Sequence, residues 1–395
     1  MLWILYLIFV VFDLAVSFVT YLVYPAKDFY GIHRVYTHYY PQIQVPPFLV
    51  SFANFDGVHY LRLAKEGYNW YDRAFFPLYP LVVHIFSPAF LFQYFWTGFI
   101  LSHIFFLGGL YFFYKYLQLI GKSRQTIFWV LLFLLFFPTS FFFSSTYTES
   151  LMFLLIVGVV YFIEKKKIGY AIIFAFFSAL TRLTGIFTIL ILFTYLYGTK
   201  LSLLYPFTKK NLTKIRILPL LKKLLLLLFP VFGLVMYMIY SYIYTKDPLI
   251  FYHVQPDFGA QRSTHLILLP QVYFRYIKIF LTANHDFLYF VSFTEFSAFT
   301  LVFGMLIYDL VKLWENKKNE KASLFGLNLF SLCNILLPTL TGTFSSIPRY
   351  ALLSISFFIR MAEVKNIFIK VAMLVCFIIM HIVLIAFFVQ GFFVG

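Results

Sequence analysis

The chain has 395 residues, of which 62% are hydrophobic, 23% aromatic and only 12% charged, and its formal net charge is +16. Soluble domains carry about 25% charged residues, and half that density cannot coat a globule of this size. With a mean hydropathy of +0.87, this excludes a soluble enzyme, a disordered chain and a peripheral protein, and leaves a polytopic helical membrane protein.

The apolar runs are continuous over about 20 residues rather than alternating, which argues against a transmembrane barrel. In chain order they lie at 2–24, 94–114, 126–143, 150–163, 168–198, 224–244, 287–311, 323–340, 350–362 and 371–392. The first lacks the basic start and small-residue cleavage site of a secretory signal and is too long for one, so it reads as a retained span. Residues 168–198 must go out and back as two short or broken helices, with Arg182 near the turn. The expectation is an all-α protein with about ten or eleven spans, a single membrane domain over 1–395 and no internal repeat. Cys333 and Cys376 fall inside apolar runs and point to neither a disulfide framework nor a metal site.

Basic residues alternate between the runs. The stretches 115–124, 164–167, 200–223, 312–321 and 360–370 hold 20 of the 31 Lys/Arg with four acids, Glu164, Glu315, Glu320 and Glu363, so their excess equals the whole net charge of +16. The positive-inside bias makes these stretches cytoplasmic. The basic charge is thereby accounted for without nucleic acid. Parity then puts the N-terminus inside, and 25–93, 245–286 and 341–349 outside. Asn211-Leu-Thr213 is a glycosylation sequon, but it falls in an inside loop. Within 245–286, residues 266–283 read as an interfacial helix with Arg275 and Lys278 on its wet side. Asp13 lies mid-span, where it should be protonated or have a partner that the sequence does not name.

The first outer stretch, 25–93, is the longest non-spanning segment, the kind that carries function. A helix is expected from Asp56 to a C-terminal glycine, Gly67, placing Asp56, His59 and Tyr60 on one face. Two compatible readings stay open for Asp56. It caps the helix, or it is a carboxylate at the membrane surface beside a histidine and a tyrosine that orient a polar ligand. Residues 75–86 read as an amphipathic helix on the outer surface. Further outward breaks fall at Pro138-Thr139-Ser140, before Tyr147-Thr148-Glu149, at Thr181–Gly185 and at Pro348-Arg349-Tyr350. Arginines at such positions either snorkel to the interface or serve a site. The outer histidines form no tight metal-binding spacing, and there is no phosphate-cradling glycine motif for a nucleotide sugar.

Phe55-Asp56, Gly67-Tyr68, Phe75–Pro80, Ser144–Glu149, Thr181–Gly185 and Pro348–Tyr350 follow in order over most of the chain. As an ordered set they resemble the PIG-V-like mannosyltransferases, related to GPI mannosyltransferase 2, of the GT-C class of membrane glycosyltransferases. Phe55 stands where the family pattern has tryptophan, keeping an aromatic face without the indole N–H. The resemblance implies a GT-C-like fold that transfers a hexose, here mannose, from a polyprenyl-phosphate-linked donor to a lipid or glycan acceptor. Transfer would occur with inversion on the extracytoplasmic face, in a plasma membrane or an endoplasmic reticulum. It casts Asp56 as general base. Arg182 and Arg349, with His59 or Arg62, would meet the leaving phosphate. Glu149 would bind sugar hydroxyls or orient an arginine, and Tyr60, Tyr68 and Tyr79 would line the sugar and isoprenoid path. No cofactor or metal is implied, and the partners are the donor, the acceptor and membrane lipids. From the residues alone, a transporter or flippase of lipid-linked or anionic solutes and a non-catalytic subunit of a glycosylation complex remain open. Polar residues crowding one membrane face, without a repeat, favour surface catalysis.

Overall fold

The computed structural model describes residues 1–23, 45–198, 217–258, 262–315 and 321–394. The sequon at Asn211, most of the basic stretch 200–223 and the start of the first outer segment lie outside the described residues. Within them the secondary structure is helical: α1 Leu2–Val23, α2 Asp56–Glu66, α3 Leu78–Phe86, α4 Tyr94–Leu119, α5 Arg124–Leu135, α6 Glu149–Glu164, α7 Ile168–Thr181, α8 Thr188–Tyr197, α9 Ile217–Thr245, α10 Leu269–Thr282, α11 Phe287–Glu315, α12 Ala322–Thr339, α13 Ile355–Ala362 and α14 Ile367–Val389. Among the described residues six helices, in α1, α4, α9, α11, α12 and α14, are long and apolar enough to cross a membrane. The chain is an all-α, multi-pass membrane protein. The remaining apolar runs are helical but shorter. The run at 126–143 stops as a helix at Leu135, ahead of Pro138, and that at 350–362 splits between Ile347–Ala351 and α13.

α1 shows how the sequence drives packing. Its buried residues Leu2, Leu5, Phe9, Asp13, Ser17 and Thr20 recur every three or four positions and form one stripe. The opposite face, with Ile4, Leu7 and Val11, stays exposed, as lipid contact requires. The partner of Asp13 is His381 of α14, whose Nε2 lies 2.8 Å from the carboxylate, and Ser144 Oγ donates to the other oxygen at 2.8 Å. The imidazole Nδ1 faces the Phe137 carbonyl at 3.0 Å. Ser140 Oγ also approaches Nδ1, at 3.1 Å. This buried network ties α1 to α14 and to the segment 136–148 between α5 and α6.

That segment is buried although only a short 3-10 turn, Ser140–Phe143, is regular in it, and membrane depth tolerates such backbone only where it is enclosed by protein. Thr146 N donates to Phe52 O at 3.0 Å, Thr139 Oγ1 to Pro348 O at 2.7 Å and Ser150 Oγ to Phe143 O at 2.6 Å. Small residues bring the helices together. A Cβ at Gly109 would lie 2.6 Å from the Phe153 ring, and one at Gly158 would lie 2.1 Å from Phe174.

The two ends of the bundle differ. Lys122 pairs with Glu363 at 2.5 Å, Arg360 with Glu363 at 2.8 Å and with Asp309, and Lys321 with Glu164 at 3.5 Å. The described parts of four basic stretches therefore meet at one end. Glu164 closes α6 and Glu149 opens it, so the opposite end lies about 24 Å away along that 16-residue helix.

At that opposite end α3 lies as the amphipathic helix expected, with Leu78, Tyr79 and Val83 inward and Leu81, Ile85 and Phe86 exposed. α10 covers 269–282, but only Lys278 is fully exposed to the wet side as expected. Arg275 turns inward and donates to Gly342 O at 3.0 Å. The segment before α10 is also hooked to this loop, through Ser263 N to Thr341 O and Ile267 N to Leu340 O, both at 2.9 Å.

Candidate active site

Asp56 opens α2, but it does not cap it. The N-cap position is Phe55, held at φ +56 with its ring against Phe388 and Phe393, and the Asp56 carboxylate turns to Arg349 instead. A left-handed phenylalanine is strained by about 1–2 kcal/mol, and here it aims the next side chain. Ser346, three residues before Arg349, is also left-handed, at φ +65. Both partners of the ion pair thus follow a strained backbone position. Gly57 lets the first turn of α2 sit on 146–147, since a Cβ there would lie 2.8 Å from Thr146 Oγ1. Tyr147 OH donates to Asn54 O at 2.6 Å and closes that contact.

Four side chains then form a row. Arg349 Nη1 donates to Asp56 Oδ2 at 2.5 Å, Arg349 Nε lies 3.3 Å from Glu149 Oε1, and Arg182 Nη1 donates to the same Glu149 oxygen. The side chain of Asp56 keeps 23% of its surface exposed while that of Glu149 keeps 1%. Glu149 sits at the N-terminus of α6, where the helix dipole favours its charge. The Arg182 guanidinium stacks over the Tyr350 ring at 4.4 Å and that of Arg349 faces Tyr147 at 5.5 Å. Burial pushes the Asp56 carboxyl up, but the Arg349 guanidinium outweighs it and holds the group below the ordinary carboxylate value. Asp56 is therefore ionised at neutral pH.

Arg182 is placed by the break between α7 and α8. Gly185 N donates to Arg182 O at 2.9 Å and Ser178 Oγ to Gly185 O at 3.0 Å. A Cβ on Gly185 would lie 1.9 Å from Ser178 O, so this turn requires glycine.

His59 and Arg62, one turn along α2, share Asp72. His59 Nδ1 lies 2.9 Å from its carboxylate, and Arg62 Nη2 donates to the same oxygen. Asp72 is fully buried, which raises its carboxyl, but the bonds from His59 and Arg62 outweigh this and hold it low. The His59 ring also stacks on Phe75 at 5.0 Å.

A cavity of about 750 Å³ joins these parts. Asp56, His59, Tyr60, Arg62, Arg182 and Arg349 all line it. Three expected site residues do not. Glu149 lies behind the arginines, so of its two expected roles only orienting them is open to it. The Tyr79 hydroxyl donates to Gly98 O at 3.1 Å and meets Ser102 at 2.9 Å, and that of Tyr68 donates to Phe75 O at 2.8 Å. Both tyrosine hydroxyls are thus taken up by packing contacts, and of the three expected tyrosines Tyr60 lines the cavity. The cavity also takes residues the sequence reading passed over: Arg262, Gln255, and Thr184 and Ser346, whose buried hydroxyls have no protein partner among the described residues. Their only sequence signal is position, in the outer stretch 245–286 and beside the two motif turns. Asp72, likewise missed, lies in the first outer stretch.

Phe251, Leu266, Leu337 and Leu340 give the cavity an apolar flank. Leu266 and Leu268 remain largely exposed, so this flank reaches the bundle surface. The arrangement can hold an ionised carboxylate against one part of a ligand, cations against another and hydrocarbon against a third.

Residues 42–249 match a family described as Mannosyltransferase (PIG-V). The matched stretch carries Asp56, Glu149 and Arg182, while Arg262 and Arg349 lie beyond it. No curated protein and no solved structure matches the chain.

Proposed function

The chain belongs to the PIG-V mannosyltransferase family and is a multi-pass membrane glycosyltransferase, and from that premise we propose that it moves mannose from a polyprenyl-phosphate donor to a hydroxyl of a lipid or glycan acceptor. The observation that carries this reading is the Asp56–Arg349–Glu149–Arg182 row on a cavity with an apolar flank.

The donor is a sugar joined through phosphate to a long hydrocarbon. Its tail suits the flank at Leu266, and its sugar hydroxyls suit Thr184 and Ser346. The acceptor oxygen attacks C1 from the side opposite the phosphate and inverts the anomeric centre. As the C1–O bond to phosphate breaks, positive charge grows on the sugar ring and negative charge on the leaving phosphate. Asp56, kept ionised by Arg349, faces the first and accepts the acceptor's proton. The arginines face the second. Charge asymmetry supports the orientation. The described parts of four basic stretches meet at the far end of the bundle, which under the positive-inside bias favours an extracytoplasmic cavity.

The test is product analysis. The purified full chain is given polyprenyl-phospho-mannose or polyprenyl-phospho-glucose with a panel of lipid and glycan acceptors, and products are read by mass spectrometry and anomeric configuration. A mannosylated acceptor of inverted configuration is expected. Absence of transfer from either donor, or retained configuration, contradicts the reading.

A further inference from the structure

The cavity wall carries four arginines, and the structure pairs them unequally. Arg349 has Asp56, with Glu149 beyond it, Arg182 has Glu149, and Arg62 has Asp72. Arg262, by contrast, makes no ion pair with a carboxylate among the described residues. Its guanidinium Nη1 donates to Gln255 Oε1 at 3.0 Å, a neutral acceptor. Gln255 is itself oriented, because its Nε2 donates to Phe251 O at 2.9 Å and so turns its carbonyl oxygen to the arginine. The next residue, Ser263, is tied by its N–H to Thr341 O at 2.9 Å, on the loop that leads to Arg349. The positive charge is thus held in place on the wall, next to the apolar flank at Leu266, close enough to Asp56 and Glu295 to act on both carboxyls but in contact with neither among the described residues.

We infer that Arg262, positioned by Gln255, receives the phosphate of a lipid-linked ligand in this cavity. The charges match. A polyprenyl phosphodiester brings one negative charge, which a guanidinium whose direct partner is the neutral Gln255 can meet without breaking the Asp56–Arg349 pair. When the glycosyl bond breaks, the phosphate becomes a monoester and gains charge, and the bond to Arg262 strengthens as it does. Phosphate at Arg262 also sets the hydrocarbon tail beside Phe251 and Leu266. The inference rests on the donor class proposed above and names the residue that holds it.

The experiment measures binding to the purified full chain in nanodiscs, with polyprenyl phosphate, polyprenol of the same length and inorganic phosphate as probes. Wild type is expected to bind polyprenyl phosphate more tightly than either other probe. Arg262→Gln should weaken polyprenyl phosphate by about tenfold or more, the scale of one charged hydrogen bond, and leave polyprenol unchanged. Gln255→Glu keeps Arg262 but gives it a carboxylate, and should produce the same selective loss, which guards against misfolding of the first variant. In transfer assays both variants raise the donor KM and leave the acceptor KM in place. If wild type discriminates for phosphate but neither variant weakens it, Arg262 is overturned while the donor reading stands. If both lipids weaken together, the role is structural and the inference fails. Inorganic phosphate binding as tightly as the lipid phosphate overturns the lipid source. Wild type that does not distinguish phosphate from alcohol overturns the donor reading and this inference with it.

Discussion

Asp56 and Arg349 stand 293 positions apart in the chain and meet at 2.5 Å in the wall of the cavity. The pair joins the start of α2 to the turn Ile347–Ala351, and Arg349 reaches Glu149 with its other edge. The guanidinium meets the two carboxylates from separate nitrogens, Nη1 and Nε, whereas a lysine ammonium would have to reach both from a single nitrogen. Arg349→Lys is therefore expected to keep the fold but lower transfer by at least about tenfold, as one misdirected charged contact would. Melting temperature and kcat, measured on the same preparation, check it.

Glu149 has the opposite profile. It is buried, does not reach the cavity and stands between two guanidiniums. Glu149→Gln leaves two buried cations facing a neutral group, and breaking a buried pair this way costs about 3–5 kcal/mol. The expected outcome is a fall in melting temperature well beyond that of Asp56→Asn, whose carboxylate is partly exposed. Equal melting shifts would mean that Glu149 does not hold the arginines.

The pH dependence follows from Asp56 and Asp72. Both carboxyls are held below the ordinary aspartate value of about 3.9, Asp56 by Arg349 against its burial and Asp72 by His59 and Arg62 against its own. A lowered folded pKa stabilises the fold fully above the unfolded pKa, and that stability is lost as pH falls through the folded value. The stabilisation from these two groups should thus be full and pH-independent near neutral pH and be lost only below about pH 4. The acid limb of kcat/KM should also lie below the normal carboxylate range. Moving it above about pH 5 in wild type would mean that Arg349 does not govern Asp56.

The break after α7 depends on Gly185. Gly185→Ala drives a methyl group into Ser178 O, 1.9 Å from the ideal Cβ position. The turn must open, and Arg182 moves with it. Loss of transfer with a lower melting temperature is expected, whereas a Gly169→Ala control, with nothing within 4 Å of its Cβ, should change neither.

Much of this architecture was legible before the structure. Helical runs, the Gly67 stop, the broken pair around Arg182 and the opposition of basic and polar ends follow from hydropathy, glycine chemistry and charge placement. Those signals are local. The partner of Asp13 was not legible, because His381 lies 368 positions away and a mid-span histidine looks like any other. Tyr68 and Tyr79 misled because their hydroxyls satisfy nearby carbonyls, which spacing does not reveal. The capping reading of Asp56 gave way to Arg349 because a distant cation competes better for a carboxylate than local N–H groups do. Arg262 belongs to no motif, and only the pairing of its neighbours singles it out.

The most direct measurement is single-turnover transfer by Asp56→Asn from polyprenyl-phospho-mannose, with polyprenyl-phosphate binding measured beside it. Loss of the general base should lower the transfer rate by at least about a hundredfold, while binding holds or tightens because Arg349 is released. Transfer at the wild-type rate by a folded, donor-binding Asp56→Asn protein would contradict the assignment.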